Sequence, residues 1–195
     1  MSEDDWIEFF SKEVPKHITE SRWQHCLRVA NFAKRLSDLN HNQNQKKAYL
    51  AGILHDITKQ KKTEFHLDLF GIKNLLDQVK TMPKEAYHAW SAPIYIEIEF
   101  GYQDASVFQA IRSHTMGGKN MGLLEKILYA SDFLGSEYAG RQELFPFWVE
   151  KVEKDLNFGV NLKASQTINN LIESKRPISE TTLETYHNSL PKNTE

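Results

Sequence analysis

Six side chains in this sequence are of types that hold divalent cations: His25, His55, His88 and His114, near the starts or ends of expected helices, and Asp56 and Asp132, carboxylates in apolar stretches. His55 and Asp56 are adjacent in "AGILHDITKQ", with Lys59 one turn further on. This stretch follows "QKKAYL" at helical spacing: Ala48, Ala51, Leu54 and Ile57 recur every three residues, with Leu50 and Ile53 beside them. An apolar face that runs into an imidazole and a carboxylate calls for a chemical reason. Asp132 raises the same difficulty inside "LLEKILYASDFL", among Leu124, Leu128 and Leu134. An ionised carboxylate in apolar surroundings is strongly disfavoured unless it is paired or bound to a cation.

A metal centre resolves these placements together. Neutral imidazoles and carboxylates suit first-row divalent ions, and from ligand chemistry alone iron, manganese, cobalt, nickel and zinc are all admissible. Helical bundles build such centres from side chains pointing inward from facing helices. Neighbouring residues on a helix point about 100° apart, so His55 and Asp56 are not parallel ligands. Near a helix end the aspartate can reach sideways to a second ion while the histidine holds the first. The spacing therefore permits two metals. Of the eight histidines, His17, His41, His66 and His187 are read as surface residues.

The elements that would position these groups read as helices almost throughout. "SRWQHCLRVANFAKRLSDL" opens with Ser21 and Gln24 at capping-box positions and carries His25 near its start. The polar "NHNQNQ" reads as a loop, and the Ala48 helix ends near His55. One or two short helices follow in "KTEFHLDLFGIKNLLDQV", punctuated by Gly71, and Pro83 marks another break. "AWSAPIYIEIEFG" carries strand-favouring isoleucines but is read as a helix that His88 just precedes, with Pro93 in its first turn and Gly101 at its end. Asp104 is placed as the N-cap of "ASVFQAIRSH", which His114 closes. "TMGGKNMG" is a glycine-rich loop, "LLEKILYASDFL" an apolar helix, and "LKASQTINNLIES" an amphipathic helix before Pro177. Only the last few residues read as disordered.

At 195 residues the chain fits one all-α domain. Its core is expected at about 20–135, with a helical extension over 136–195. A formal net charge of −2 gives no global field for nucleic acid or membrane. The single cysteine, Cys26, rules out an internal disulfide and a thiolate cluster. An acidic N-terminus unlike a signal peptide, and no apolar run near the ~18 residues of a span, point to a soluble cytoplasmic protein.

The order His25, His55-Asp56, His88, His114, Asp132 resembles the HD-domain metal-dependent phosphohydrolase superfamily, specifically its dinuclear branch. "AGILHDITK", "HTMGGKNM", "LLEKILYASDF" and "RPISETTLETYH" are similar to the YqeK family of symmetrical bis(5′-nucleosyl)-tetraphosphatases. The resemblance runs from about Trp23 to His187. It implies an HD-domain helical bundle in which His25, His55, Asp56 and Asp132 hold one metal. Asp56 would bridge to a second metal completed by His88 and His114. It further implies iron as the metal and diadenosine tetraphosphate as the substrate, cut at its midpoint to two ADP.

In such a site Asp56 is central to catalysis, and Lys59 is placed to meet a phosphate oxygen or charge developing in the transition state. The "TMGGKN" loop could offer the backbone N–H groups of Gly117 and Gly118, and the Lys119 ammonium, to further phosphates. Arg112 and Thr115 are candidates of the same kind. The expected partner is a dinucleoside polyphosphate or nucleotide, and the sequence is compatible with a homodimer.

One segment departs from the family. Where the YqeK pattern has a glutamate and then an arginine after its last aspartate, this chain has Gly135 and Tyr138. Glu137 and Arg141 could supply the missing charges from shifted positions. Two other readings stay open: a nucleotide phosphatase or cyclic-nucleotide phosphodiesterase, and a nucleotide-binding sensor without turnover.

Overall fold

Amphipathic segments separated by polar turns become twelve α-helices among residues 1–41 and 44–191, the residues that the computed structural model describes. No strand occurs among them, in keeping with the all-α expectation. The polar loop expected over 40–45 lies partly outside the described residues, at 42 and 43. The disorder expected of the last few residues lies outside them at 192–195.

Helix α1 (Glu3–Glu13) leads through a 3₁₀ turn at Val14–Lys16 into α2 (Glu20–Leu39) and α3 (Gln45–Leu54). Then come α4 (Thr63–Ile72), the single turn α5 (Leu76–Val79) and, after a second 3₁₀ turn at Lys84–Ala86, α6 (Tyr87–Phe100). Helices α7 (Ala105–Ser113) and α8 (Leu123–Leu134) follow. The chain ends with α9 (Glu137–Gly140), α10 (Phe145–Lys154), α11 (Leu156–Glu173) and α12 (Glu180–Ser189).

Local chemistry moves several expected boundaries. The N-cap of α2 is Thr19, not Ser21, because the Thr19 hydroxyl is the acceptor for the Arg22 amide. Gly71 lies within α4, and the break comes after Ile72, with Asn74 at φ 55°. Pro93 is interior to α6, which begins at Tyr87, so His88 is part of that helix rather than before it. As expected, Asp104 caps α7 by accepting from the Ser106 and Val107 amides, and Gly101 ends α6 at φ 67°.

From Ile127 onward α8 is mostly apolar because it is packed on two sides. Leu128 joins a core with Phe10, Val29, Ile53 and Ile111 from the N-terminal helices. Its neighbour Ile127 joins a second core with Leu36, Trp148 and Leu156, which includes residues of α10 and α11.

Two glycines allow other backbones to approach α2 closely. A Cβ at Gly52 of α3 would lie 2.3 Å from the Ala30 Cα, and one at Gly135, after α8, would lie 2.9 Å from the Val29 backbone nitrogen. The ends of α3 and α8 thus both press on α2 one to two turns from His25. Among the described residues, no helix is long and apolar enough to cross a membrane.

Candidate metal centre

The six candidate ligand side chains come from five helices or their ends and meet at one place. His55 is the C-cap of α3, where i→i+3 bonds from Ile57 N–H to Leu54 O and from Lys59 N–H to Asp56 O tighten the chain. That tightening turns Asp56 away from the helix axis, so the adjacent pair serves two neighbouring positions. His114 is the C-cap of α7, His88 lies in the first turn of α6, His25 in the second turn of α2 and Asp132 in the last turn of α8.

Asp56 divides the centre in two. Its Oδ2 stands 3.4 Å from His55 Nε2 and 3.8 Å from His25 Nε2. Its Oδ1 stands 3.2 Å from His88 Nε2 and 3.7 Å from His114 Nε2. Asp132 Oδ1 completes the first half, 3.1 Å from His25 Nε2 and 3.5 Å from His55 Nε2. Each half contains three side chains whose ligand atoms lie within 4.8 Å of one another: His25, His55 and Asp56, then Asp56, His88 and His114.

The donor set fits cations. Asp56 Oδ1 is buried and accepts no hydrogen bond, which is costly for a carboxylate oxygen. The rings are turned by their outer nitrogens: His25 Nδ1 to the Gly135 carbonyl at 3.2 Å, His55 Nδ1 to that of Gly52 at 2.7 Å, and His114 Nδ1 to that of Ile111 at 2.6 Å. With Nδ1–H donating outward, each Nε2 directs a lone pair inward. Two such nitrogens face each other in His25 and His55, 3.3 Å apart, and His88 Nε2 stands 3.0 Å from His114 Nε2. Neutral lone pairs at that range repel, and a shared cation removes the repulsion.

Bound protons are another source of positive charge, beside the Arg22, Lys59 and Lys163 side chains. Burial works against a charged His55, yet Asp56 and Asp132 beside it hold its pKa up at about 9. Burial also opposes ionisation of Asp56, but the charge on His55 and the rings of His114 and His88 keep it well below the usual carboxylate range. Burial pushes His114 down to about 3, so that ring stays neutral and able to donate a lone pair. The Asp132 side chain is 22% exposed, so it borders an opening rather than sitting sealed in apolar surroundings as its helix suggested.

Other expected residues distribute unevenly. Lys59 Nζ lies 3.2 Å from His88 Nε2, and Thr115 Oγ1 lies 3.1 Å from His114 Nε2 and 3.3 Å from His88 Nε2. Both therefore touch the second half. Arg112, Gly117, Gly118 and Lys119 instead line a separate cavity of about 740 Å³. Gly117 corrects the expected phosphate loop, since its N–H is already donated to the Ser113 carbonyl at 2.7 Å. A Cβ there would fall 2.3 Å from Thr185 Oγ1, so at Gly117 the loop packs against α12.

Glu137 and Arg141 pair with each other at 3.2 Å, with side chains 61% and 79% exposed, and neither reaches the centre. The family's glutamate has no room at 135, where a Cβ would meet Val29 Cγ2 at 2.6 Å. The Gly135 carbonyl serves the centre directly by taking both His25 Nδ1 and Arg28 Nε. Tyr138 lines a second cavity of about 780 Å³ that also reaches Thr115, Phe133, Gln166 and Asn170.

Two surface assignments change. His66 is buried, its Nδ1 2.7 Å from Ser91 Oγ, which in turn meets Thr58 Oγ1 at 2.9 Å beneath the His88 backbone. His17 is half-buried against Tyr95.

Two cations at the centre were not anticipated. Arg22 Nη1 donates to Asp56 Oδ2 at 3.1 Å. It lies three residues before His25 on the same helical face, a spacing that could have found it. Lys163 donates to Asp132 Oδ2 at 2.6 Å. Its signal is a lysine at the buried period of α11, in line with Leu156, Gly159 and Val160.

Comparison with known proteins agrees with this geometry. A family model described as HD domain matches residues 22–135. The chain belongs to the HD domain family. Within it, the chain is 36% identical over 181 residues to a protein of Halalkalibacterium halodurans named bis(5′-nucleosyl)-tetraphosphatase, symmetrical, covering 91% of this chain and 93% of that one. A protein of the same name from Bacillus subtilis is 30% identical over 178 residues, covering 89% and 92%. A crystal structure from Clostridium acetobutylicum, described as that of a predicted HD superfamily hydrolase involved in NAD metabolism, superposes with TM-score 0.83 at 26% identity, over 94% of this chain and 96% of that one. The resemblance read from the sequence holds both for the HD family and for its tetraphosphatase relatives.

Proposed function

We propose that this chain is a dinuclear metal-dependent hydrolase that cleaves a dinucleoside tetraphosphate at its midpoint, taking up one water and yielding two nucleoside diphosphates. The supporting observation is the Asp56 carboxylate, buried and shared between two sets of inward-facing imidazoles. In this reading His25, His55, Asp56 and Asp132 hold one ion, and Asp56, His88 and His114 the other. The ions are divalent transition metals, with iron the first candidate and manganese, cobalt, nickel and zinc chemically admissible. When bound, such a pair supplies Lewis acidity and brings the attacking water's pKa toward neutrality.

The protein's own groups do the rest. Backbone carbonyls at Gly135, Gly52 and Ile111 fix three imidazoles before substrate arrives, so little reorganisation is left to the reaction. Lys59 offers a cation to the phosphate chain beside His88, and Thr115 offers a hydroxyl between His88 and His114. Arg22 stands at the solvent side of Asp56, 34% exposed, where a guanidinium can meet phosphate oxygens. The cavity reaching Thr115 takes a nucleoside: Phe133 and Tyr138 offer ring faces, and the amides of Gln166, Asn169 and Asn170 can hydrogen-bond a base edge. Its volume of about 780 Å³ lies within the usual range for small-molecule sites.

Diadenosine tetraphosphate incubated with iron- or manganese-loaded protein, followed by chromatography, tests the reading. ADP as the sole nucleotide product is expected. AMP with ATP contradicts midpoint cleavage, and tight binding without turnover favours a sensor. Lys59→Ala is expected to lower kcat by about 10²-fold, the scale of one lost transition-state donor, with metal content by elemental analysis unchanged. Wild-type kinetics in that variant would return Lys59 to an ordinary helix-end lysine.

A further inference from the structure

Lys163 is an ammonium in the interior of the protein with all its donors committed. Its side chain is 8% exposed. It donates to Asp132 Oδ2 at 2.6 Å and to the His114 backbone carbonyl at 2.6 Å, and it stands 4.3 Å over the centre of the Tyr129 ring. Three N–H donors thus meet a carboxylate, a carbonyl and a π face. Burying a lysine is unfavourable unless it is compensated, so its presence needs an explanation beyond packing, for which leucine or methionine would serve better.

The two oxygens it grips belong to opposite halves of the centre. Asp132 has two carboxylate oxygens, and the one left free by Lys163, Oδ1, is the one that faces His25 and His55. His114 closes α7, where the terminal carbonyls carry partial negative charge that favours a cation. Holding its carbonyl fixes the backbone from which the His114 ring reaches toward Asp56 Oδ1, 3.7 Å away. Lys163 comes from α11, beyond the 22–135 span matched by the family model. The same helix continues to Gln166, Asn169 and Asn170 in the wall of the nucleoside-sized cavity.

We propose that Lys163 is a positioning residue for metal binding: it locks Asp132 so that one oxygen is presented to the first half, and anchors the His114 backbone for the second. The proposal rests on the dinuclear reading above. It makes α11 a working part of the centre rather than an accessory to it. Without the ammonium, Asp132 Oδ2 and the His114 carbonyl both lose this donor.

Cobalt(II) titration of full-length protein, followed by visible absorption and chelator competition, tests this. Wild type is expected to take up two cobalt ions per chain. Lys163→Met is expected to bind cobalt about 10–100-fold more weakly, the range for lost ligand-orienting partners, with a changed cobalt spectrum. Lys163→Gln, which keeps a polar group, serves if the methionine variant does not fold, with weakened binding again expected. Asn161→Ala is the control on the same helix: it removes the amide that donates to Tyr186 O and Ser189 Oγ, away from the centre. It is expected to lower the unfolding midpoint but keep the wild-type cobalt affinity and spectrum. Equal or tighter cobalt binding by the Lys163 variants, with two ions in wild type, overturns the anchoring role alone. Absence of cobalt uptake by well-folded wild type overturns the dinuclear reading, and the role of Lys163 with it.

Discussion

Replacing Asp56 with alanine is expected to abolish hydrolysis and reduce bound metal, because this one carboxylate contacts both halves of the centre. Oδ2 faces His25 and His55 while Oδ1 faces His88 and His114. Loss of one preorganised donor at an active site costs about 10²–10³ in kcat, and loss of a group shared between two ions should reach or exceed the upper figure. The variant also leaves four imidazoles converging without the anion that offsets a bound cation. Paired measurements of turnover and metal stoichiometry check this. Wild-type turnover in Asp56→Ala, or two ions still bound with wild-type affinity, would remove Asp56 from the bridging role.

Metal loading is expected to raise the unfolding midpoint substantially. The candidate ligands come from α2, the α3 end, α6, α7 and α8, so a preformed site exists only in the folded chain. A ligand at 100 times its dissociation constant stabilises the folded state by about 2.7 kcal/mol. For a chain of this size about 1 kcal/mol corresponds to roughly 2–4 °C, so the expected rise is roughly 5–10 °C over metal-free protein. Asp56→Ala should show little of it. Thermal unfolding with and without manganese or cobalt measures the difference. Equal midpoints at saturating metal would show that the folded state does not hold the ions preferentially.

The candidate site was unusually legible because its residues violate burial rules one at a time. An imidazole and a carboxylate at the end of an apolar face, and an aspartate inside an apolar helix, are conspicuous without any coordinates. Their convergence depends on features of backbone packing that are less visible. Gly52 against Ala30 and Gly135 against Val29 are ordinary glycines in the sequence, and only the contact shows why no larger residue fits. The Gly135 departure from the family pattern read as a missing charge, whereas its carbonyl orients His25.

Lys163 escaped notice because lysines on amphipathic helices usually extend their ammonium into solvent. Its position in the buried period of α11 was the one available clue. In the glycine-rich loop one expected donor is already engaged. Its composition suggested a phosphate cradle, and there the Gly117 amide is spent on Ser113 while Gly117 itself lies against Thr185 of α12. Helix boundaries moved by a few residues where alternative caps were close in sequence, as with Thr19 and Ser21. His66 looked like a surface residue because the hydroxyl that satisfies it, Ser91, lies on another segment.

The most direct test combines elemental analysis of protein purified without oxygen with product analysis on diadenosine tetraphosphate. Two transition-metal ions per chain, together with ADP as the only nucleotide released, is the predicted result. A well-folded preparation that retains no transition metal under any loading condition, and leaves the dinucleotide intact, would contradict the account.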